Sequence, residues 1–399
     1  MSDRPWITIV GIGEDGPDGL PPASLAALKA AEVVMGATRH LALLPAHEAE
    51  VITWPIPFAD GLPLLRSLEG RDVVVLASGD PFWFGAGAVI ARAFAPYDWT
   101  VLPAPSCFAL AAARMGWALE RTICLGLHAQ PMSHMRPYLG KNTHLLVTLR
   151  DGQALEQLGA YLTEIEFGDS IISAFQALGG PREARWDGHA HAIKAHGLKH
   201  PICVAIESAG PGAALPVSSG IADAFFQSDG VMTKRAVRAA TLSALAPQRG
   251  EVLWDIGAGS GSIAIEWLLA DPACNAVAVE PRKDRIAMIE HNAQALGVAH
   301  LQLVAGSAPD VFADLPDPDA VFIGGGLTTE MLRALEDRVK PGTRVVANTV
   351  TLEGEHVLIT AHQRLGGDLI QINIAEADAL GGKTGWKPAR PIVQWAGVL

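Results

Sequence analysis

From Trp6 to Glu207 the chain alternates short β-rich apolar runs, "ITIV", "DVVVLA", "HLLVTL", "DSIISAF" and "PICVAIE", with Ala- and Leu-rich stretches such as "ASLAALKAAEVV". The runs predict strands and the stretches predict helices, so this half is expected to be a layered α/β domain. At Ser208–Gly220, "SAGPGAALPVSSG", the periodicity gives way to Gly, Pro, Ser and Ala, which marks a linker with a boundary near Gly210. The expected domains are therefore residues 1–209 and 210–399. After the linker, strand-like runs "EVLWDIG", "NAVAVE", "LQLVAG", "AVFIGG" and "TRVVANTV" are separated mostly by helical stretches, a pattern that predicts βαβ units and a parallel sheet.

Length agrees with this division, since 399 residues at roughly 150 per domain suggest two or three domains, and two is the simplest case. Ala supplies much of the 49% hydrophobic content, and no run of about 18 uninterrupted apolar residues appears. The start "MSDRPWITIV" lacks the basic, apolar and small-residue pattern of a secretory signal. A soluble, cytoplasmic protein without membrane contact is expected. The four cysteines, Cys107, Cys124, Cys203 and Cys274, lie far apart without metal or disulfide spacing and read as small buried apolar residues. A net charge of −12 with scattered basic residues argues against a nucleic-acid surface, so an anionic substrate needs a local basic patch.

The sharpest chemical signal lies in the second half. "EVLWDIG" runs into "GAGSGSIAIEW", placing Gly257, Ala258, Gly259, Ser260 and Gly261 between a strand and an apolar helix, while Glu280 ends the next strand. Glycines let the backbone approach a ligand, and the distal acid accepts hydrogen bonds from ribose hydroxyls. Asp255, just before the glycines, would repel a pyrophosphate but suits an ammonium or sulfonium, which favours S-adenosylmethionine over NAD. At "VFIGGG", Gly324 and its neighbours strip side chains from a strand end where a broad, flat substrate would approach. Lys234 and Arg238 share a helix face, as substrate-carboxylate partners or as a solvated surface.

"IVGIGEDGPDGLPP" contains a literal G-x-G-x-x-G in Gly11, Gly13 and Gly16. A dinucleotide fingerprint needs a helix to start in that loop, and Pro17, Pro21 and Pro22 delay any regular helix until about Ala23. Glu14, Asp15 and Asp18 would also oppose a phosphate. Further along, Asp80 in "SGDP" reads alone as a turn carboxylate, and "FWF" at Phe82–Phe84 as core or as a wall for a macrocycle. His189, His191, His196 and His200 lack a completing ligand set, so no metal is expected there.

Two resemblances build on these residues. The stretch from Gly220 to Leu399, with "GVMTKRAVRAATLSALAPQRGEVLWDIGAGSGSIAIEW", "GSAPD", "VFIGGG" and "NTVTLE", resembles the decarboxylating methyltransferases of cobalamin biosynthesis. That resemblance implies that Thr233, the Gly257–Gly261 loop, Glu280, Ser307 and Ala308 bind S-adenosylmethionine. Trp6–Glu207, with the opening loop, "LASGDPFWFGAGAVIARAF", "LPAPSCFALAAARMGW", "LVTLRDG" and "AFQALGGPREAR", resembles the tetrapyrrole methylase family and in particular its corrin C5-methylating members. This resemblance implies a two-lobed domain that binds S-adenosylmethionine through Gly13, Ser78, Gly79, Asp80, Phe82 and Ser106. The chain departs from that family's usual Gly-Val-Ser-Ser turn at "APSCF" and from its Leu-Thr-Asp at "TLRDG".

Together the resemblances imply a two-lobed tetrapyrrole methylase domain followed by a Rossmann-like class I methyltransferase domain, with two S-adenosylmethionine sites per chain. They imply methylation of a reduced tetrapyrrole at C5 and C15 with loss of CO₂ from the ring C acetate, in a protein expected to be a homo-oligomer. The other readings are methylation of a different tetrapyrrole, a non-catalytic ligand-binding module and a NAD-dependent dehydrogenase, the last opposed by Asp255 and by the prolines of the first loop.

Overall fold

In the computed structural model, which describes residues 5–194 and 197–399, the chain divides into two units. The first comprises the residues through Met132 and Tyr138–Ala213; the second comprises Ser133–Pro137 and Ala214–Leu399.

The first unit holds two sheets. Strands β1 (Ile7–Ile12), β2 (Val33–Gly36), β3 (Glu50–Thr53), β4 (Val73–Ser78) and β5 (Trp99–Leu102) pair in the order β3-β2-β4-β1-β5, all parallel. Helices α1 (Pro22–Ala30), α2 (Thr38–Leu41), α3 (Gly61–Arg66) and α4 (Ala86–Ala93) connect them. Both faces of this sheet are apolar: Ile7, Ile9, Met35 and Val75 belong to one core cluster, and Val10, Ile12, Val34 and Leu76 to another. A parallel sheet covered on both sides accounts for the unbroken hydrophobic runs.

After α5 (Cys107–Met115), the second sheet takes β6 (Ile123–Gly126), β7 (His144–Leu149), β8 (Ile171–Gln176), β9 (Ala184–His189) and β10 (Ile202–Glu207) in the order β6-β7-β10-β8-β9. Only β6 and β7 run parallel; β10 is antiparallel to β7 and β8, and β8 to β9. Helix α6 (Gly152–Glu164) follows β7, with the Asp151 carboxylate accepting from the Ala154 amide as its cap.

One local expectation is revised. The stretch "ASLAALKAAEVV" is helical only to Ala30, because Val33 and Val34 are drawn into β2 between β3 and β4. Sheet pairing overrides a continuous helical reading there. The histidine-rich stretch begins inside β9, which ends at His189.

In the second unit, β11 (Val252–Ile256), β12 (Asn275–Glu280), β13 (Gln302–Ala305), β14 (Ala320–Ile323), β15 (Arg344–Thr349), β16 (Asp368–Ile372) and β19 (Ile392–Val398) form one sheet. Its order is β13-β12-β11-β14-β15-β19-β16, parallel except for β19 against its two neighbours. Strands β17 (Ala375–Leu380) and β18 (Lys383–Pro388) make a separate hairpin. Helices α7 (Arg235–Leu245), α8 (Ser262–Ala270), α9 (Lys283–Ala295), α10 (Thr329–Arg338) and α11 (Leu352–Leu365) complete the unit. Strand order reverses between β11 and β14, which opens a crevice at their carboxyl ends.

Arg238 contradicts both sequence readings of its helix face. It is fully buried, pairs with Glu266 on α8, and donates to the Thr233 carbonyl at 2.6 Å. Glu266 also accepts from the amides of Gly220 (2.6 Å) and Ile221 (3.0 Å), so the pair pins the start of this unit onto α8.

Among the described residues, no helix is long and apolar enough to cross a membrane.

Candidate functional site

The register of the first sheet assembles the first candidate site. Ile12 pairs with Ser78 at the carboxyl ends of β1 and β4, and the Gly79 amide donates to the Ile12 carbonyl at 3.0 Å. A Cβ on Gly11 would lie 1.9 Å from the Gly79 carbonyl oxygen, and one on Gly79, at φ +51°, would lie 2.9 Å from that of Pro105. Only glycines let the turns after β1, β4 and β5 approach this closely. The prolines shape the opening loop as expected: Gly16–Gly19 is one 3₁₀ turn, and α1 starts at Pro22.

These turns border a cavity of about 670 Å³. Gly13, Ser78, Gly79 and Ser106 line it, together with the apolar side chains Trp54, Ile56, Phe58, Trp83 and Phe84. Asp80 and Phe82 are not among its lining residues. Asp80 accepts from the Phe82 amide at 2.9 Å, closing its own turn, and the Phe82 ring leans on Trp99. The Ser106 hydroxyl accepts from the Ala109 amide at 3.2 Å and caps α5.

The polar wall of the cavity joins Glu14 of the opening loop to residues that no motif announced. The buried Glu14 carboxylate pairs with Arg39 and with Arg182, the latter at 2.9 Å. Arg39 Nη2 lies 2.8 Å from both Ser78 Oγ and His40 Nε2, and those two atoms are 2.8 Å apart. Burial, and then the charge of Arg39, push the His40 imidazolium down to about pKa 3. From the second sheet, His128, Arg150 and His200 reach the same cavity. Cys107 and Cys203 also line it; the neighbouring Cys107, and then burial, push the Cys203 thiol well up, while Cys203 lowers the pKa of Cys107. Cys107 and Cys124 are only half-buried, unlike the buried role expected of all four cysteines.

His189 and His191 stack at 5.4 Å, with each Nδ1 near a backbone carbonyl, of Asp169 and Gly168 respectively. His196 lies outside the described residues. Among the described residues no group of three His, Cys, Asp or Glu is gathered as a metal site.

In the second unit, Gly257, Gly259 and Gly261 take φ values of +68°, +60° and +75° at the carboxyl end of β11. A Cβ on Gly257 would come within 2.8 Å of the Gly325 amide nitrogen, so the turns after β11 and β14 nearly touch. Gly324 holds the second turn by donating to the Ile256 carbonyl at 2.9 Å. Asp255 is buried; Oδ2 accepts from the Ala264 amide at 3.0 Å, while Oδ1 has no hydrogen-bond partner. Burial, and secondarily the charge of Glu280, raise its pKa to about 7. Glu280 accepts from the amides of Gly259 (2.9 Å) and Arg282 (3.1 Å), spanning the glycine turn. Ala258 donates its amide to Val279, and Ser260 offers its carbonyl to the Asn292 side chain at 2.9 Å. Ser307 and Ala308 form the turn after β13, Ser307 exposed and Ala308 packed on the core; Thr233 precedes α7.

The donor sets fit S-adenosylmethionine. In the second unit an unpartnered buried carboxylate oxygen, an acid at the next strand end and a turn too tight for side chains stand together. In the first, three side-chain-poor turns flank an apolar cavity.

Comparison with known proteins matches both halves. Residues 7–193 match the family "Tetrapyrrole (Corrin/Porphyrin) Methylases", and residues 224–398 match "Precorrin methyltransferase domain". A Sinorhizobium protein described as "Precorrin-6Y C(5,15)-methyltransferase [decarboxylating]" is 46% identical over 98% of this chain and 96% of its own length. A Mycobacterium tuberculosis protein of the same description is 40% identical over 98% of this chain and 99% of its own. A shorter Pyrobaculum calidifontis protein, "Probable cobalt-precorrin-6B C(15)-methyltransferase (decarboxylating)", is 36% identical over 43% of this chain and 92% of its own.

Proposed function

The chain belongs to the family of precorrin-6Y C(5,15)-methyltransferases (decarboxylating), and from that premise we propose that it methylates precorrin-6B at C5 and C15 and removes the ring C acetate as CO₂. The product would be precorrin-8, in cobalamin biosynthesis. Residues 1–209 carry out the C5 methylation, and residues 210–399 the C15 methylation with decarboxylation. Each unit holds one S-adenosylmethionine, so the chain has two sites. The observation that carries this reading is that each unit has its own glycine-built turns at the carboxyl ends of parallel strands.

Bound there, S-adenosylmethionine supplies an electrophilic sulfonium methyl. In the second unit the Gly257–Gly261 backbone, with Ser307, Ala308, Gly324 and Thr233 around it, holds the ligand. Glu280 takes its ribose hydroxyls, and the free oxygen of Asp255 takes positive charge. In the first unit Gly13, Gly79 and Ser106 present backbone while Ser78, held by Arg39, presents a hydroxyl. Trp54, Phe58, Trp83 and Phe84 wall the macrocycle and keep water from the reacting carbon. With no nucleophile required, the protein's work is alignment, an effect that can supply about 7–11 kcal/mol of such a barrier.

Calorimetry on the full chain tests the ligand count. Two S-adenosylmethionine equivalents per chain are expected, and Gly259→Arg should remove one of them and C15 methylation while leaving C5 methylation measurable. A single site in an active preparation would refute the reading.

A further inference from the structure

We infer that His200 is the general base of the first unit, its Nε2 accepting the proton that C5 methylation releases. The inference rests on the C5 reading above. As the C5–CH₃ bond forms, the S–CH₃ bond breaks and its electron pair stays on sulfur. The tetrapyrrole, having gained a methyl cation, must then shed one proton from a ring N–H or C–H to become neutral.

The cavity offers few acceptors for that proton. The Glu14 carboxylate is held by two guanidiniums. His40 turns Nε2 toward Arg39, which can only donate, so that lone pair is occupied. Cys203 lowers the pKa of the Cys107 thiol, which makes its sulfur a weaker proton acceptor. His128 touches Thr148 Oγ1 at 3.3 Å, a hydroxyl that can donate or accept and so leaves its tautomer unset.

His200 differs. Its Nδ1 lies 2.9 Å from the Arg150 carbonyl oxygen, and a carbonyl only accepts, so Nδ1 carries the proton and Nε2 the lone pair. The side chain lines the cavity and is exposed, so a captured proton can pass on to solvent. The groups around it favour the neutral ring. Partial burial of the ring lowers its pKa most, Arg39 and Arg182 lower it further, and the Arg150 carbonyl and Asp151 oppose them. His40 is uncharged, and the Glu14 carboxylate is tied to both arginines.

The test uses the full chain with S-adenosylmethionine and precorrin-6B, reading C5 methylation by mass spectrometry. His200→Asn keeps an amide donor for the Arg150 carbonyl and removes the base, so C5 kcat should fall about 100-fold or more with KM and S-adenosylmethionine affinity within threefold. The acid limb of the wild-type pH–rate profile, below pH 6.5, should vanish in this variant. His200→Ala should be partly rescued by added imidazole. Apart from turnover, ¹⁵N-histidine NMR of the ligand-free chain should show His200 as the Nδ1–H tautomer titrating below 6.5. A C5 kcat within threefold of wild type in His200→Asn, or an Nε2–H tautomer, overturns the inference alone. Absence of C5 methylation by the wild-type chain overturns the functional reading beneath it.

Discussion

The guanidinium of Arg39 stands 2.8 Å from Nε2 of His40, and since a guanidinium only donates, the imidazole is neutral with its proton on Nδ1. Its pKa falls from 6.5 to about 3. A depressed histidine charges in the unfolded chain before it charges in the folded one, so stability declines as pH drops from 6.5 toward 3. At about 1.4 kcal/mol per unit this one residue accounts for a few kcal/mol. Denaturant titrations of His40→Asn at pH 7 and pH 4.5 should show a smaller loss on acidification than wild type; equal losses would dismiss the assignment.

Asp255 titrates in the opposite sense. Its folded pKa is about 7 against 3.8, so it contributes stability below pH 3.8 that is lost as pH rises toward 7. A cationic ligand beside its free oxygen would favour the ionised form and expel the proton. Calorimetry at pH 6.5 in buffers of different ionisation enthalpy should register proton release on S-adenosylmethionine binding, and Asp255→Asn should abolish that release.

Removing Arg238 leaves Glu266 buried without its partner. Breaking such a pair typically costs about 3–5 kcal/mol, so Arg238→Ala should lower the unfolding free energy of the second unit by that amount. Replacing both partners together, as Arg238→Met with Glu266→Leu, should cost less than the sum of the single changes. Strict additivity in that cycle would show that the two do not act as a pair.

Much of this was legible in the residues. Asp255, the Gly257–Gly261 turn and Glu280 sit within one βαβ unit, so local spacing alone brought them together. Prolines in the opening loop ruled out a dinucleotide helix, and α1 begins where they end. Arg39, His40 and His200 carried no such signal, because they come from α2 and from the segment before β10 and meet only when two sheets close on one cavity. Arg238 misled because a charge on an amphipathic helix reads as solvated, and its partner lies on another helix. Asp80 and Phe82 stand beside residues that line the cavity, yet the Asp80 turn directs them elsewhere.

Gly11 offers a purely steric check. Gly11→Ala would set a Cβ 1.9 Å from the Gly79 carbonyl oxygen, which forces the β1 and β4 turns apart. A destabilisation of about 3 kcal/mol, at the upper end for overpacking, is expected in chemical denaturation, and an unchanged midpoint would be inconsistent with the register described.

The central claim is that one chain performs two methylations and one decarboxylation. Incubating the full chain with isotopically labelled S-adenosylmethionine and precorrin-6B, and reading the product by mass spectrometry, measures this directly. The account predicts two labelled methyl groups and one CO₂ lost per tetrapyrrole; a product with a single methyl group, or with the ring C acetate intact, would contradict it.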